Sequence, residues 1–103
     1  MNMGRFQSRF DWHYKRFYES EDRVPGFDEA VRKFDRMMEV DWFKTFAREF
    51  CGYRRDVMLG DRECAAFVFA MVDFGMIEMR GYQSVHPWQK RLGRLGTGRF
   101  CRV

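Results

Sequence analysis

Phenylalanine at helical spacing is the feature that most constrains how this chain can fold. Phe6, Phe10 and Phe17 recur at helical intervals together with His13 or Tyr14, which places them on one face of a helix. The pattern predicts a first helix over residues 4–18. We interpret its aromatic face as a core-facing surface rather than as an exposed recognition stripe.

A turn and a second helix follow. The segment from Glu19 to Gly26 is polar and ends in Pro-Gly, which is typical of a turn. A second helix is predicted over residues 27–39, with Asp28 and Glu29 in its first turn, where the helix dipole favours negative charge. Its apolar side consists of Val31, Phe34, Met37 and Met38.

The third helix is predicted over residues 42–51. Asp41 is a good N-cap for it, and Gly52 is placed to end it. Its apolar face consists of Phe43, Phe46, Ala47 and Phe50.

The fourth helix is the most apolar and is predicted over residues 62–74. Gly60-Asp61 opens it, and Gly75 is suited to end it in a left-handed conformation. Because the helix is apolar on nearly all sides, we expect it at the centre of the fold. The residues expected nearest the centre are Phe67, Val68 and Met71.

Residues 76–80 alternate apolar and polar side chains, as strands do. After a turn at Gly81, the chain is predicted to return and complete a small β-hairpin over residues 76–86, which Pro87 ends. The predicted fold class is therefore mainly α, with four short helices, this hairpin and an extended basic C-terminal tail. Residues 1–86 are assigned to a single helical domain and residues 87–103 to the tail.

Positive charge is concentrated in the last part of the chain. Residues 79–103 contain six basic side chains and no carboxylate, while all fifteen acidic residues lie between Asp11 and Glu78. Like charges gathered in one segment repel each other unless a negative partner receives them, and interleaved aromatic rings add stacking capacity. The predicted partner-binding residues are Arg80, Tyr82, Trp88, Lys90, Arg91, Arg94, Arg99, Phe100 and Arg102.

The composition is also typical of a binding surface. The chain has twelve Phe and eight Met, and its Arg residues outnumber Lys by fifteen to four. Aromatic residues, Met and Arg are enriched at protein interfaces, whereas Lys is depleted there. A GC-rich genome would also favour Arg codons, so the composition alone does not separate the two explanations.

The order of the third helix, a connection, the fourth helix and a strand looks like a winged-helix module. AREFCG (residues 47–52) resembles the first helix of a helix-turn-helix, and AMVDFGMIEMRG (residues 70–81) resembles a recognition helix that runs into its wing. The resemblance covers about a third of the chain and implies DNA binding. The fourth helix, however, offers only Arg62, Glu63 and Asp73 as outward polar residues, and two of these repel phosphate.

No catalytic, cofactor-binding or metal-binding motif stands out. His13 and His86 have no Cys or carboxylate at metal-ligand spacing, and neither CxxC nor HExxH is present. Too few residues follow the glycines of segment 93–98 for the helix that a phosphate-binding loop needs. We therefore expect no cofactor and no enzymatic activity.

The three cysteines, Cys51, Cys64 and Cys101, are an odd number, and no signal-peptide core precedes them. These observations favour a reducing intracellular compartment, either the cytoplasm or an organelle matrix. The longest apolar run, residues 64–72, is much shorter than the roughly 20 residues of a membrane span.

Together these patterns predict a non-catalytic accessory or adaptor protein. It would dock on a larger protein or ribonucleoprotein assembly through aromatic anchors and its Arg-rich tail. The alternative is a nucleic-acid-binding module, either a winged-helix-like DNA binder or an RNA-binding protein that uses the tail.

Overall fold

The computed structural model describes residues 2–20, 24–57 and 60–79. Helices hold 77% of these residues, and the described ranges contain no β-strand. The helices are α1 (Met3–Ser20), α2 (Phe27–Met37), α3 (Asp41–Arg54) and α4 (Asp61–Asp73). The mainly α class is therefore confirmed, and each predicted helix is present with its ends within three residues of the prediction.

Helix α4 lies at the centre of the described fold. Every residue from Cys64 to Asp73 is buried, and the helix packs extensively against both α1 and α2. Phe67, Val68 and Met71 are fully buried, as the sequence predicts. A helix that is apolar all round is stable only when other elements cover every side of it.

Five phenylalanine rings surround the ring of Phe67, with centroid distances of 5.3–5.8 Å. They are contributed by three helices: Phe6 of α1, Phe34 of α2, and Phe43, Phe46 and Phe50 of α3. Three of the five contacts are edge-to-face, an arrangement that stabilises an aromatic pair by about 0.5–1.5 kcal/mol beyond the burial of its area. Phe67 is therefore the contact common to all four helices.

A second aromatic group closes the other end of the core. Phe69 of α4 contacts Phe17 at 5.1 Å and His13 at 5.3 Å, and Phe17 also contacts Phe27 of α2 at 5.1 Å. The aromatic face predicted for the first helix is confirmed, because Phe6, Phe10, His13 and Phe17 are all buried. It faces the core, as we expected.

Two predicted features of α3 are wrong. Asp41 is the first helical residue rather than the N-cap, because the carbonyl of Val40 already accepts a hydrogen bond from the N–H of Lys44 at 2.9 Å. Gly52 does not end the helix, which continues to Arg54. The side chain of Arg54 fixes this last turn, since its guanidinium lies 4.7 Å from the Phe10 ring and bonds Glu63.

The residue that terminates α3 is Arg55, which follows the last helical residue and adopts the left-handed conformation with φ 61°. Its N–H donates to the carbonyl of Gly52 at 3.2 Å, and the N–H of Asp56 donates to that of Cys51 at 3.1 Å. These two bonds form a Schellman ending, a position where glycine is usually found.

The end of α4 follows the prediction more closely. Gly75 is left-handed with φ 74°, and its N–H donates to Val72 while that of Met76 donates to Met71, both at 2.9 Å. This is again a Schellman ending. The chain then runs with Ile77 and Met79 buried and Glu78 exposed between them.

The predicted β-hairpin is not found in the part that the structure describes. Residues 76–79 alternate in burial but are not in a strand. Any extended segment that lies against a core buries every second side chain, whether or not it pairs with another strand. An alternation of apolar and polar residues therefore does not by itself predict a β-strand. The rest of the hairpin, the predicted tail and the boundary after residue 86 lie outside the described residues.

The position of Gly52 inside α3 gives a stability prediction. A Cβ added at Gly52 meets no atom within 4 Å, so Gly52→Ala is expected to raise the free energy of unfolding by about 0.5–1 kcal/mol. Gly26→Ala is the matched control: φ there is 86°, so the same change is expected to cost about 1–2 kcal/mol. Urea denaturation measures both, and a destabilised Gly52→Ala protein would show that the helix ends at Gly52 after all.

The central role of Phe67 gives a second prediction. Phe67→Ala is expected to lower the free energy of unfolding by about 3–5 kcal/mol, because it empties a space bounded by rings from three helices. Phe46 lies at a half-buried position of the same cluster, so Phe46→Ala should lower the free energy of unfolding by clearly less than Phe67→Ala does. If Phe67→Ala does not fold, Phe67→Leu supplies the comparison, with an expected loss of about 1–2 kcal/mol. Equal losses at the two positions would contradict the central role.

Candidate partner-binding site

The nine partner-binding residues predicted from the sequence, from Arg80 to Arg102, all lie outside the described residues. The structure therefore brings none of them together. The described part contains another surface with the same chemistry, arginine beside an exposed aromatic ring. It lies on α1, and its geometry depends on a buried ion pair with the end of α4.

The buried group is Asp73, the last residue of α4. Its side chain is only 1% exposed, and one oxygen, Oδ2, accepts two hydrogen bonds of 2.6 Å, from Arg9 Nε and from His13 Nε2. A carboxylate at a helix C-terminus meets the negative end of the helix dipole, and α4 has no basic residue in its last turn. The guanidinium of Arg9, from α1, supplies the compensating charge.

The second donor, His13, is fully buried between α1 and α4. Burial lowers the pKa of His13 below its ordinary value of 6.5, and this outweighs the opposite effect of its hydrogen bond to Asp73. Arg9 and Arg16 lower the pKa further. The imidazole is therefore neutral at pH 7 and carries its proton on Nε2, where it donates to the carboxylate.

Arg9 links this buried pair to an exposed tryptophan. Its guanidinium lies 4.3 Å from the centroid of the Trp12 ring, and that of Arg16 lies 5.4 Å from the same ring. Trp12 is 47% exposed. Its ring also packs edge to face with the imidazole of His13, with the two ring centroids 4.9 Å apart. One arginine precedes Trp12 by three residues and the other follows it by four, so both reach the ring from neighbouring turns of α1.

These residues form a continuous surface that we call the Arg–Trp stripe, defined as Arg5, Arg9, Trp12 and Arg16. Their spacing of four, three and four residues aligns them along one flank of α1. The nearby carboxylate of Asp11 is directed elsewhere on the helix, where Gln7 donates to it at 2.6 Å. The stripe is therefore positively charged along its length.

Within the described ranges, Arg5 and Arg16 form no ion pair. Other arginines of the fold are neutralised locally. Arg32 and Arg36 both pair with Glu29, and Arg54 pairs with Asp56 and Glu63. The stripe thus combines the unpaired guanidinium groups of Arg5 and Arg16 with a half-exposed indole, whereas Arg9 is paired with Asp73 and much of the remaining basic surface is also paired.

Other exposed aromatic residues have different surroundings. Trp42 and Tyr53 are 48% and 53% exposed, and no described guanidinium lies over their rings. Tyr18 is 64% exposed and has the guanidinium of Arg62 at 5.0 Å. Trp12 alone among the described aromatic residues is half-exposed with two guanidiniums on its ring.

A polar cleft of about 430 Å³ opens between α2 and the segment after α4. Its lining residues are Glu29, Lys33, Arg36, Glu78 and Met79. The hydrogen bond from Arg32 lowers the pKa of Glu29, and Arg36 adds to this effect. The charges of α2 that face the cleft are therefore largely paired with each other, and the cleft is a weaker candidate site than the stripe.

Cys51 and Cys64 both carry free thiols. Burial raises the pKa of Cys64 to about 11, with Asp35, Asp61 and Glu63 adding to the effect. A thiol with this pKa stays protonated at neutral pH and is a poor nucleophile.

No three His, Cys, Asp or Glu side chains within the described ranges are grouped so as to hold a metal ion. In the same part of the chain, no helix combines the length and the apolar character needed to cross a membrane.

The burial of α4 also bears on the winged-helix resemblance. A recognition helix must present one face to a DNA groove, but residues 64–73 of α4 are covered on all sides. The three polar residues we expected to face outward are engaged within the protein. Arg62 lies on Tyr18, Glu63 accepts a hydrogen bond from the N–H of Gly60 at 3.2 Å, and Asp73 binds α1. The resemblance therefore does not extend to an exposed recognition helix.

The chain matches no protein-family model, no curated protein and no solved structure with which it was compared.

The residues of the Arg–Trp stripe were not among the binding residues predicted from the sequence. A usable signal was present, because Arg9 and Arg16 stand three residues before and four residues after Trp12, the distances at which side chains meet on a helix. The anchoring of Arg9 by Asp73 had no such signal, since the two residues are 64 positions apart.

The lowered pKa of His13 predicts how stability depends on pH. As the pH falls below 6.5, the unfolded chain binds a proton at this position before the folded one does, so the free energy of unfolding should decrease. The loss is complete below the folded pKa of His13. His13→Gln keeps a donor near Asp73 but does not titrate, so its stability should fall less steeply between pH 7 and pH 5.5. Parallel pH profiles from urea denaturation of the two proteins would contradict a neutral buried His13.

Proposed function

We propose that this protein is a non-catalytic accessory or adaptor subunit that docks on a larger protein or ribonucleoprotein assembly. Docking would use aromatic anchors together with the Arg-rich segment after residue 79, including Trp88, Arg94 and Phe100. The free thiols of Cys51 and Cys64 are consistent with a reducing intracellular compartment.

The observation that carries the proposal is the half-exposed Trp12 held between two arginines. Tryptophan and arginine are the residue types that contribute most binding energy at protein interfaces, particularly where they are held in place before the partner arrives. A monomer gains nothing in stability from leaving half of an indole in water.

The enclosure of the His13–Asp73 pair supports a non-catalytic role. The only described histidine is 0% exposed, and its partner Asp73 is 1% exposed, so no substrate reaches this pair without local opening of the fold. General acid–base chemistry requires the proton-transferring group to lie within hydrogen-bond reach of the substrate. The pair instead fixes the packing of α1 on α4.

The alternative function is RNA binding by the same C-terminal segment. Its support is the charge pattern, six bases without a carboxylate over residues 79–103. Binding to phosphate would weaken steeply with salt, because each neutralised phosphate releases counterions. Docking through buried aromatic anchors would depend far less on salt.

The native size of the tagged protein, isolated gently from its own source, tests the proposal. An adaptor is expected in a species much larger than the 12.6 kDa chain, with a size that nuclease treatment does not change. Collapse to a small species on nuclease treatment would favour RNA binding. A protein that remains at its monomeric size without nuclease would contradict both functions.

Substitutions in the C-terminal segment sharpen this test. In an adaptor, Trp88→Ala or Phe100→Ala should weaken association more than Arg94→Ala, because anchors that fill pockets contribute more than charges at the rim. Equal and salt-sensitive losses from each arginine substitution would instead indicate a phosphate surface.

A further inference from the structure

The Arg–Trp stripe has the properties of a prepared docking surface. Arg5 and Arg16 have no ion pair within the described part of the chain, whereas Arg9 is largely buried, with its side chain 15% exposed, and is paired with Asp73. Two guanidinium groups, those of Arg5 and Arg16, are thus available along one flank of α1.

The surface is held in place by the core. Asp73 is buried and fixes Arg9, whose guanidinium lies on Trp12, and Arg16 lies on the same ring from the next turn. Side chains that are ordered before binding lose less conformational entropy when the partner arrives. The stripe therefore differs from a set of solvated lysines, which lose most of their rotamer freedom on binding.

The geometry also distinguishes between two kinds of anionic partner. Single-stranded nucleic acids are bound through bases that stack on open aromatic faces. In the stripe, guanidinium groups already lie over the Trp12 ring, 4.3 Å and 5.4 Å from its centroid, and would compete with a base for stacking there. The part of the Trp12 indole that stays exposed lies beside guanidinium groups, which bind carboxylates through two parallel hydrogen bonds. This combination suits an Asp or Glu side chain with an apolar side chain next to it.

We propose that the Arg–Trp stripe docks a carboxylate-rich protein segment, in which Asp or Glu side chains pair with Arg5 and Arg16 and an apolar residue packs on Trp12, while Arg9 stays bound to Asp73 and holds the Trp12 ring in place. This inference rests on the proposed adaptor function and names a surface and a partner class for it. The residues of this surface are different from the C-terminal ones predicted from the sequence.

Binding of two defined probes by the full-length protein tests the inference. One probe is a synthetic glutamate-rich peptide with a central leucine, and the other is a uridine oligonucleotide of equal charge. NMR signals of the indole N–H groups report on each tryptophan separately, after assignment with Trp→Phe variants. We expect the peptide to shift the Trp12 signal more than those of Trp42 and Trp88, and to do so more strongly than the oligonucleotide.

A pair of double variants makes the test specific. Arg5→Gln with Arg16→Gln should weaken peptide binding about tenfold, since it removes two charge-assisted contacts. Lys44→Gln with Arg48→Gln removes the same charge from α3, where the described part of the chain holds no ion pair to either residue, and should change the affinity by less than about twofold. Equal thermal stability of the two variants establishes that both are folded.

Three results would overturn the inference. The first is an equal loss of peptide affinity in the two double variants, which indicates attraction to net charge alone. The second is tighter binding of the oligonucleotide with a larger Trp12 shift, which makes the stripe a phosphate-binding surface. The third is an unchanged Trp12 signal with both probes.

The native-size measurement separates this inference from the proposed function. If the wild-type protein is in a large nuclease-resistant species and the Arg5→Gln, Arg16→Gln variant is in the same species at the same level, the adaptor function stands and the stripe is not its docking surface. If the wild-type protein is monomeric, the adaptor function fails, and the peptide titration still decides whether the stripe binds carboxylates.

Discussion

The contact on which the rest of the described structure depends is the burial of the Phe67 ring against phenylalanines of α1, α2 and α3. A chain of about 100 residues buries only a small core. Nine of the twenty-one buried hydrophobic residues of the described part are phenylalanines, and many of their rings meet edge to face. Residues 64–73 of α4 are covered on all sides by the rest of the described fold. The role of α4 is to hold the other three helices in fixed positions.

The same helix also organises the charged surface of α1. Asp73 ends α4 at the negative pole of the helix dipole, and Arg9 and His13 of α1 bind it there. A buried carboxylate is costly unless it keeps the donors that bind it, which here include Arg9 and His13. The need of Asp73 for a charged donor therefore determines where the guanidinium of Arg9 lies. The position of Arg9 in turn determines which groups surround the Trp12 ring.

Much of the fold could be predicted because its signals are local. Phe6, Phe10 and Phe17 lie on one helical face by spacing alone, and the uniform apolar character of residues 64–72 indicates a central helix. The ends of α3 were missed because they depend on tertiary contacts: Arg54 reaches Phe10 and Glu63, so the helix passes Gly52. Helix ends are the least predictable part of a sequence-based assignment.

The candidate site was less predictable than the fold. Charge density directed the prediction to residues 80–102, outside the described residues, while the stripe on α1 has a more ordinary composition. Two contacts distinguish the stripe. Arg9 and Arg16 both lie on the Trp12 ring, and Arg9 is also bound to Asp73, which is 64 residues away in the sequence. Pairing of this kind follows from the packed fold.

The central helix is also the last of the four to be synthesised, which has a consequence for the newborn chain. While the ribosome is still producing residues 61–73, the phenylalanines of α1 to α3 have only one another to pack on, as Phe6 does on Phe50, and they lack the central cover that α4 provides. Isolated helices are marginal in water without such packing. We expect the chain to leave the ribosome as an aromatic, chaperone-binding coil and to fold in one step once α4 has emerged. Protease resistance of ribosome-stalled chains should therefore appear abruptly with α4, and a gradual gain would contradict this order.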